Sequence, residues 1–257
     1  MNYFAHQSAA KRYANARPYF HPLVIQKIKG VLGLQELLSK ALDVGCGTGQ
    51  STIALKGIAN EIVGTDSSQE MLNEAQLDSC IHYLCTPAEQ LPFPDASFDL
   101  ITVASAFHWL DRPRFLAEAS RVLHTSGWLI LYSNGFTGTM VENPAFENWN
   151  WNTYIPRYPI PPRNNQLLTE NEAEQYGFRF IGKESYSNEV LFTPEMLANY
   201  LMTQSNAIAS IEQGKEQAED VHAWLVAEVT PLFQGKHGTF TFGGTIGYRQ
   251  KELPNSV

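Results

Sequence analysis

The chain is poor in cysteine. Only Cys46, Cys80 and Cys85 occur in 257 residues. That is too few for a disulfide framework, so a reducing cytoplasm is the expected compartment. Long apolar runs are missing too: none reaches the roughly 20 residues that cross a bilayer, and no membrane association is expected. Met1 to Gln7 shows no basic head ahead of an apolar segment, so no secretory leader is read there. Basic residues are scarce, 18 Lys and Arg against 26 Asp and Glu, for a net charge of −8. Without Lys/Arg clusters there is no electrostatic footprint for a polyanion, and no nucleic-acid partner is expected. Cys80, His82 and Cys85 are metal-type residues close together. On an extended strand Cys85 points away from the other two, and a fourth ligand is lacking, so no metal is expected.

What is present suits one soluble α/β domain. The composition is 44% hydrophobic and 12% aromatic, enough for a sizeable core within the length one such domain reaches. Apolar runs at Ala41–Gly45, Glu61–Asp66, Ile81–Cys85, Asp99–Ala104 and Trp128–Tyr132 read as strands. Amphipathic stretches at Gly49–Lys56, Gln69–Ala75 and Arg112–Leu123 read as the helices between them, and Pro22–Leu38 reads as a helix interrupted by Gly30 and Gly33. Such alternation predicts a parallel sheet with helices on both faces, which binds ligands at the carboxyl ends of its strands. Further along, a helix is read at Glu170–Tyr176, a strand near Phe180–Phe192, helices near Pro194–Met202 and Ala218–Pro231, and a last strand within His237–Arg249. No repeats or flexible linkers occur.

Asp43-Val44-Gly45-Cys46-Gly47-Thr48-Gly49 follows the first strand and opens a helix at Gln50. Glycines at such a turn let the backbone adopt positive φ and approach a ligand closely. The helix start offers free N–H groups and partial positive charge. The spacing is neither the dinucleotide fingerprint G-x-G-x-x-G nor a phosphate loop ending in Gly-Lys-Ser/Thr. Asp66 ends the second strand, where an acid can take two ribose hydroxyls.

These residues resemble the class I S-adenosylmethionine-dependent methyltransferases, in particular the small-molecule branch called methyltransferase type 11, with features of the trans-aconitate methyltransferase-like group. Asp43 to Gly49 matches the first family motif. Asp66-Ser67-Ser68-Gln69-Glu70-Met71-Leu72 matches the second, Ala88-Glu89 through Ser97-Phe98-Asp99 the third, and Arg121-Val122-Leu123 with Gly127-Trp128-Leu129 the turn into the fifth strand. Tyr13 to Arg17-Pro18 and Phe20 resembles the amino-terminal segment that closes over the cofactor. The resemblance covers nearly the whole chain. It implies a Rossmann-like, doubly wound sheet of seven mostly parallel strands, the last antiparallel and inserted before the sixth, with an α-helical lid. The division it suggests is one domain over 1–257: a cap at 1–38, a cofactor core at 39–135, a lid and acceptor region at 136–180, and the rest of the sheet at 181–257. It also implies S-adenosyl-L-methionine as cofactor, S-adenosyl-L-homocysteine as product, and a small-molecule acceptor. The cofactor-binding residues it implies are Tyr13, Arg17, Asp43, Gly45, Cys46, Gly47, Gly49, Gln50, Asp66, Ser67, Met71, Pro87, Ala88, Glu89, Ala104 and Ser105. Asp66 would hold the ribose and Met71 lie beside the adenine.

Two places depart from the family pattern. Pro87 stands where an acid usually meets the adenine amino group. His124-Thr125-Ser126-Gly127 replaces Lys-Pro-Gly-Gly, which is expected to change only loop stiffness.

Methyl transfer from a sulfonium is an in-line displacement with an activated leaving group, so alignment is the main catalytic requirement, and it can supply about 7–11 kcal/mol. A base is needed only when the acceptor carries a proton. Phe107-His108-Trp109 follows the fourth strand, where this fold presents groups to the transferred methyl. His108 is the candidate base; the alternative is that it packs to hold the loop. Phe107, His108, Trp109, Trp149 and Trp151 are the candidate acceptor-binding residues, the last two on an aromatic-rich lid. Asn143-Pro144-Ala145-Phe146 lies after the fifth strand rather than the fourth and lacks a second proline, so it is not read as a base-methylating signature. The expected reaction is methylation of a carboxylate or hydroxyl oxygen. The alternatives are nitrogen or carbon methylation, or binding of the cofactor without catalysis.

Overall fold

A computed structural model describes residues 4–252. Among them, seven strands form one sheet of order β3-β2-β1-β4-β5-β7-β6. The strands are β1 (Leu38–Val44), β2 (Ala59–Asp66), β3 (Ile81–Cys85), β4 (Phe98–Ala104), β5 (Leu123–Met140), β6 (Phe178–Phe192) and β7 (Gly238–Lys251). β3, β2, β1, β4 and β5 run parallel. β7 is antiparallel and lies between β5 and β6, as the resemblance implied.

The helices are α1 (Gln7–Ala16), α2 (His21–Leu32), α3 (Gln50–Ala54), α4 (Gln69–Leu72), α5 (Arg112–Val122), α6 (Ala145–Trp149), α7 (Ile155–Arg157), α8 (Glu170–Glu174), α9 (Pro194–Leu201), α10 (Ser205–Glu212) and α11 (Ala218–Val229). α2 ends six residues before the expected Leu38, because Gly33 takes φ 62 and closes the helix. α4 is capped by the Ser68 hydroxyl and α5 by the Asp111 carboxylate, each accepting a backbone N–H. β5 runs well past the expected Trp128–Tyr132, because β7 keeps pairing with it: Val141 N–H donates to Thr239 O at 2.9 Å. α10 has no counterpart in the sequence reading. Ser126, expected only to alter stiffness, has φ 64; the departure from glycine there puts a β-carbon into left-handed backbone.

The chain divides into two compact units. The first comprises Tyr19–Ser133, Arg163–Ser185 and the described residues from Thr245 on. Its core gathers Leu42, Val44, Phe98, Ile101, Val103, Phe115, Leu116 and Phe178 from both sequence-distant parts. The second comprises the described residues up to Pro18, Asn134–Pro162 and Tyr186–Gly244. Its core is largely aromatic: Phe146, Trp149, Tyr154, Tyr158, Phe192, Tyr200, Phe240 and Phe242. Trp149 stacks on Tyr154 with ring centroids 5.8 Å apart. No helix among the described residues is long and apolar enough to cross a membrane.

In the first unit, His21 opens α2 from a buried position. Its Nδ1 lies 3.0 Å from the Tyr132 hydroxyl, and its ring packs on Phe20 at 4.1 Å. Burial lowers its pKa from 6.5 to about 3. The folded state therefore keeps the ring neutral while the unfolded chain takes up a proton below pH 6.5. Stability supplied by His21 is full above that pH and is lost as pH falls toward 3. Between pH 7 and 5, wild-type protein should lose about 2 kcal/mol more unfolding free energy than His21→Phe. Urea titrations at both pH values check this; equal losses would show that His21 titrates normally.

Candidate active site

β1 brings Asp43 and Gly45 to the carboxyl edge of the sheet, and β2 brings Asp66 alongside in parallel register. Between β1 and α3 the backbone turns through three left-handed glycines: Gly45 at φ 67, Gly47 at 55 and Gly49 at 78. No other residue type adopts all three without strain. Gly47 N–H donates to Asp66 Oδ2 at 2.9 Å, Cys46 N–H to Thr65 O at 3.0 Å, and Gly49 N–H to Cys46 O at 3.0 Å. The loop is thus tied to β2 at its middle. Cys46 is buried among these contacts, which, with the charges of Asp43 and Asp66, pushes its thiol pKa up.

Asp66 Oδ1 accepts a second N–H, from Ser68, at 2.8 Å. Burial raises its pKa; the N–H groups of Ser68, Gly47 and Ser67 pull the other way. The carboxylate has about four acceptor positions, and these backbone N–H groups take up part of them. Asp66 is half-buried, whereas Ser67 beside it is exposed. Met71 of α4 is buried, and a β-carbon placed on Gly47 would stand 3.1 Å from its terminal methyl. Gln50 opens α3 and is half-buried.

Asp43 has a different place from the one expected. It is fully buried, with Ser51, Thr52 and Thr102 hydroxyls donating to its carboxylate at 2.6, 2.7 and 2.9 Å. Burial raises its pKa from 3.8 to about 6, against the three hydroxyls that lower it. It braces β1, α3 and β4 together, and no part of it reaches the surface. Glu89 also has an unforeseen partner: its Oε1 accepts the Asp111 N–H at 2.8 Å. That links the segment after β3 to the start of α5. Ala88 packs into the core and Pro87 is exposed.

The turn after β4 sits against the glycine loop. A β-carbon built on Gly45 would fall 2.6 Å from Ala106 Cβ, closer than such carbons approach. Ala104 pairs with Tyr132, and Ser105 N–H donates to Tyr132 O at 2.8 Å. Ser105 takes φ 54, a left-handed conformation for a residue with a β-carbon, the kind of strain that gathers at functional sites. Phe107, His108 and Trp109 form a single 3₁₀ turn behind it. Phe107 packs on the core, edge to face with Phe115. Trp109 is 38% exposed and 4.8 Å from the His108 ring.

Sequence reasoning missed the two guanidinium groups here. Arg112 lies 4.7 Å above the Phe107 ring and Arg163 6.0 Å from Trp109. Arg112 is buried and donates to the Asn164 and Gln166 carbonyls, pinning the segment ahead of α8. Burial, and then these two cations, lower the His108 pKa to about 4, so its imidazole is neutral at pH 7. Arg163 carries no motif, and only the fold sets it beside Trp109.

Four expected residues lie in the second unit. Arg17 stacks on Tyr13 at 4.6 Å and on Tyr200 at 5.3 Å, and donates to Thr203 O at 2.7 Å. Trp149 was expected to face an acceptor. It is buried in the aromatic core instead, with its indole N–H donating to Glu228 at 3.0 Å. Trp151, two residues on, is 52% exposed. Asn143 has a local role: its side chain donates to Leu232 O and accepts the Ala145 N–H.

A doubly wound sheet with a left-handed glycine loop and an acid at the next strand end defines a Rossmann-like ligand-binding protein. The comparisons with known proteins narrow this. A family model described as a methyltransferase domain matches residues 42–131. An uncharacterized methyltransferase of Mycobacterium tuberculosis strain H37Rv is 36% identical over 226 residues, 86% of this chain and 84% of that protein. A Dictyostelium discoideum protein described as a methyltransferase is 32% identical over 159 residues; the match spans 61% of this chain and 60% of that protein. Among solved structures, a protein of Anaeromyxobacter dehalogenans described as a type II methyltransferase has the same fold. Its TM-score is 0.71 at 22% identity, over 93% of this chain and 99% of the other. The chain belongs to the class I S-adenosylmethionine-dependent methyltransferases.

The residues fit that family's methyl donor. The three glycines bring bare backbone to the carboxyl edge of the sheet, where β-carbons would collide with Ala106, Met71 and Tyr83, and beside them stands the half-buried Asp66 carboxylate, an acceptor for hydroxyl groups.

Proposed function

We propose that this protein methylates a small molecule on a carboxylate or hydroxyl oxygen. In this reading Gly45, Gly47 and Gly49 cradle the donor, Asp66 takes its ribose hydroxyls, and Met71 and Ala88 border its base. When bound, S-adenosylmethionine supplies a methyl carbon on an activated sulfonium leaving group. The protein's own residues then have one main task, to hold an acceptor oxygen in line with that carbon.

The observation that carries the proposal is the contact between Gly45 and Ala106. It puts the Phe107-His108-Trp109 turn next to the donor loop within one compact unit. Around the turn stand Arg112 and Arg163, whose charges favour an anionic acceptor. A carboxylate needs no base. A hydroxyl does, and His108, neutral at pH 7, can accept its proton at a ring nitrogen.

Radiolabelled methyl donor offered with panels of carboxylic acids, alcohols and amines tests this. Label released by mild base identifies a methyl ester. Base-stable N-methyl or C-methyl products would replace the oxygen assignment, and binding of the donor without any product would leave a non-catalytic binding protein. His108→Ala should lower kcat/KM for a hydroxyl acceptor by about 100-fold while leaving affinity for S-adenosylhomocysteine within about threefold, less than 1 kcal/mol. Because His108 is already neutral, the wild-type rate should show no His108 limb between pH 5.5 and 8, down to about 1.5 units above its pKa of about 4. A limb near pH 6.5 that vanishes in His108→Ala would contradict that.

A further inference from the structure

β3 places Tyr83 opposite Gly64 of β2. A β-carbon on Gly64 would lie 2.8 Å from the Tyr83 ring and 3.1 Å from Cys46 Sγ. A β-carbon on Gly49 would lie 2.4 Å from the Tyr83 hydroxyl and 3.2 Å from Ala75 Cβ. The ring therefore crosses β2 at Gly64 and ends beneath the last residue of the glycine loop. Gly49 has a second reason to be glycine, its φ of 78. Gly64 has no such reason. It sits inside a strand and outside the positive-φ set. The missing side chain at Gly64 is explained by the space that the ring and the Cys46 thiol occupy.

We propose that Tyr83 is a positioning residue for the donor loop. Its ring props the Cys46–Gly49 end of the loop. That fixes the height at which the Gly47 N–H meets Asp66 and the loop glycines face the donor. Close packing makes such a prop effective: removing the ring leaves a void beneath Gly49, which has no side chain of its own to fill it, and the loop sinks there. The inference rests on the proposed donor site at residues 45–49 and 66.

The test is calorimetric titration with S-adenosylhomocysteine, together with urea unfolding of the ligand-free variants. Tyr83→Ala should bind about tenfold more weakly, about 1.4 kcal/mol, with kcat at saturating donor changed less than about threefold. Tyr83→Phe, which keeps the ring, should restore affinity to within about threefold of wild type. Gly64→Ala supplies the steric signature: about tenfold weaker binding in the wild-type background, and a loss of about threefold or less in Tyr83→Ala, where only Cys46 Sγ still crowds the added methyl. If Tyr83→Ala fails to fold, Tyr83→Leu takes its place in the cycle. Unchanged affinity in Tyr83→Ala, or an equal Gly64→Ala cost in both backgrounds, overturns the proposal. If wild type binds and Asp66→Ala does not, that failure belongs to Tyr83 alone. A wild type that binds no S-adenosylhomocysteine overturns both this proposal and the donor site.

Discussion

Asp66→Ala should weaken binding of S-adenosylhomocysteine by about 200-fold or more. Two hydroxyl hydrogen bonds to a carboxylate are lost, each contributing about 1.5–3 kcal/mol, and each 1.4 kcal/mol is tenfold in affinity. The variant also frees the Gly47 N–H, which Asp66 Oδ2 holds at 2.9 Å, so the loop loses its tie to β2. Asp66→Asn separates the two effects. The amide is the same size but has one acceptor oxygen, while Gly47 and Ser68 both present N–H groups to the carboxylate. One of those N–H groups must then face an amide N–H₂. Affinity in Asp66→Asn should fall nearly as far as in the alanine variant, with a smaller loss of ligand-free stability. Calorimetry and urea unfolding read the two quantities independently. Wild-type affinity in Asp66→Ala would remove the ribose assignment.

Asp43→Ala should be a stability lesion rather than a binding one. Three buried hydroxyls, from Ser51, Thr52 and Thr102, lose their common acceptor. Unpaired buried polar groups cost about 1–3 kcal/mol each, so a loss of about 3 kcal/mol or more is expected. The pH dependence carries a second signature, opposite in sign to that of His21. The folded pKa of Asp43 is raised, from 3.8 to about 6. Its titration contributes stability that is fully present below pH 3.8 and is lost as pH rises through about 6. Going from pH 6 to pH 4, wild type should therefore gain about 2–3 kcal/mol relative to Asp43→Asn, which cannot titrate. A parallel pH course in the two proteins would mean that Asp43 ionises as it does in water.

The glycine loop was largely legible because local chemistry dictates it. Glycines at alternate positions after an apolar strand mark a left-handed turn, and Gly45, Gly47 and Gly49 take φ 67, 55 and 78. Asp66 was legible for the same reason, as a charge at the end of a hydrophobic run. Asp43 was legible as important, but its three hydroxyl partners were not. An acid next to a ligand loop and an acid beneath one look alike in sequence. The three hydroxyls that settle the matter come from α3 and β4, and the β4 threonine is 59 residues away.

The aromatic segment after β5 shows the opposite limit. Trp149 and Trp151 are two residues apart in the same kind of composition, yet one is core and the other is 52% exposed. The helix around them includes a π-turn over Asn150–Tyr154, which breaks the regular 3.6-residue spacing on which face assignments depend. Likewise β5 reaches Met140 only because β7, a hundred residues later, supplies its hydrogen-bond partners.

By itself the sequence determined the alternating strand and helix order, the glycine loop and the acid at the second strand end. Each of these is written in neighbouring residues, as periodicity, backbone permissiveness or charge. Tertiary structure decided which buried groups meet: Asp43 with its three hydroxyls, Tyr83 with Gly49 and Gly64, and Arg163 with Trp109. Those contacts join residues that no local rule relates. The packing of strands and loops chooses them, because every buried polar atom must find a partner and every ring a space.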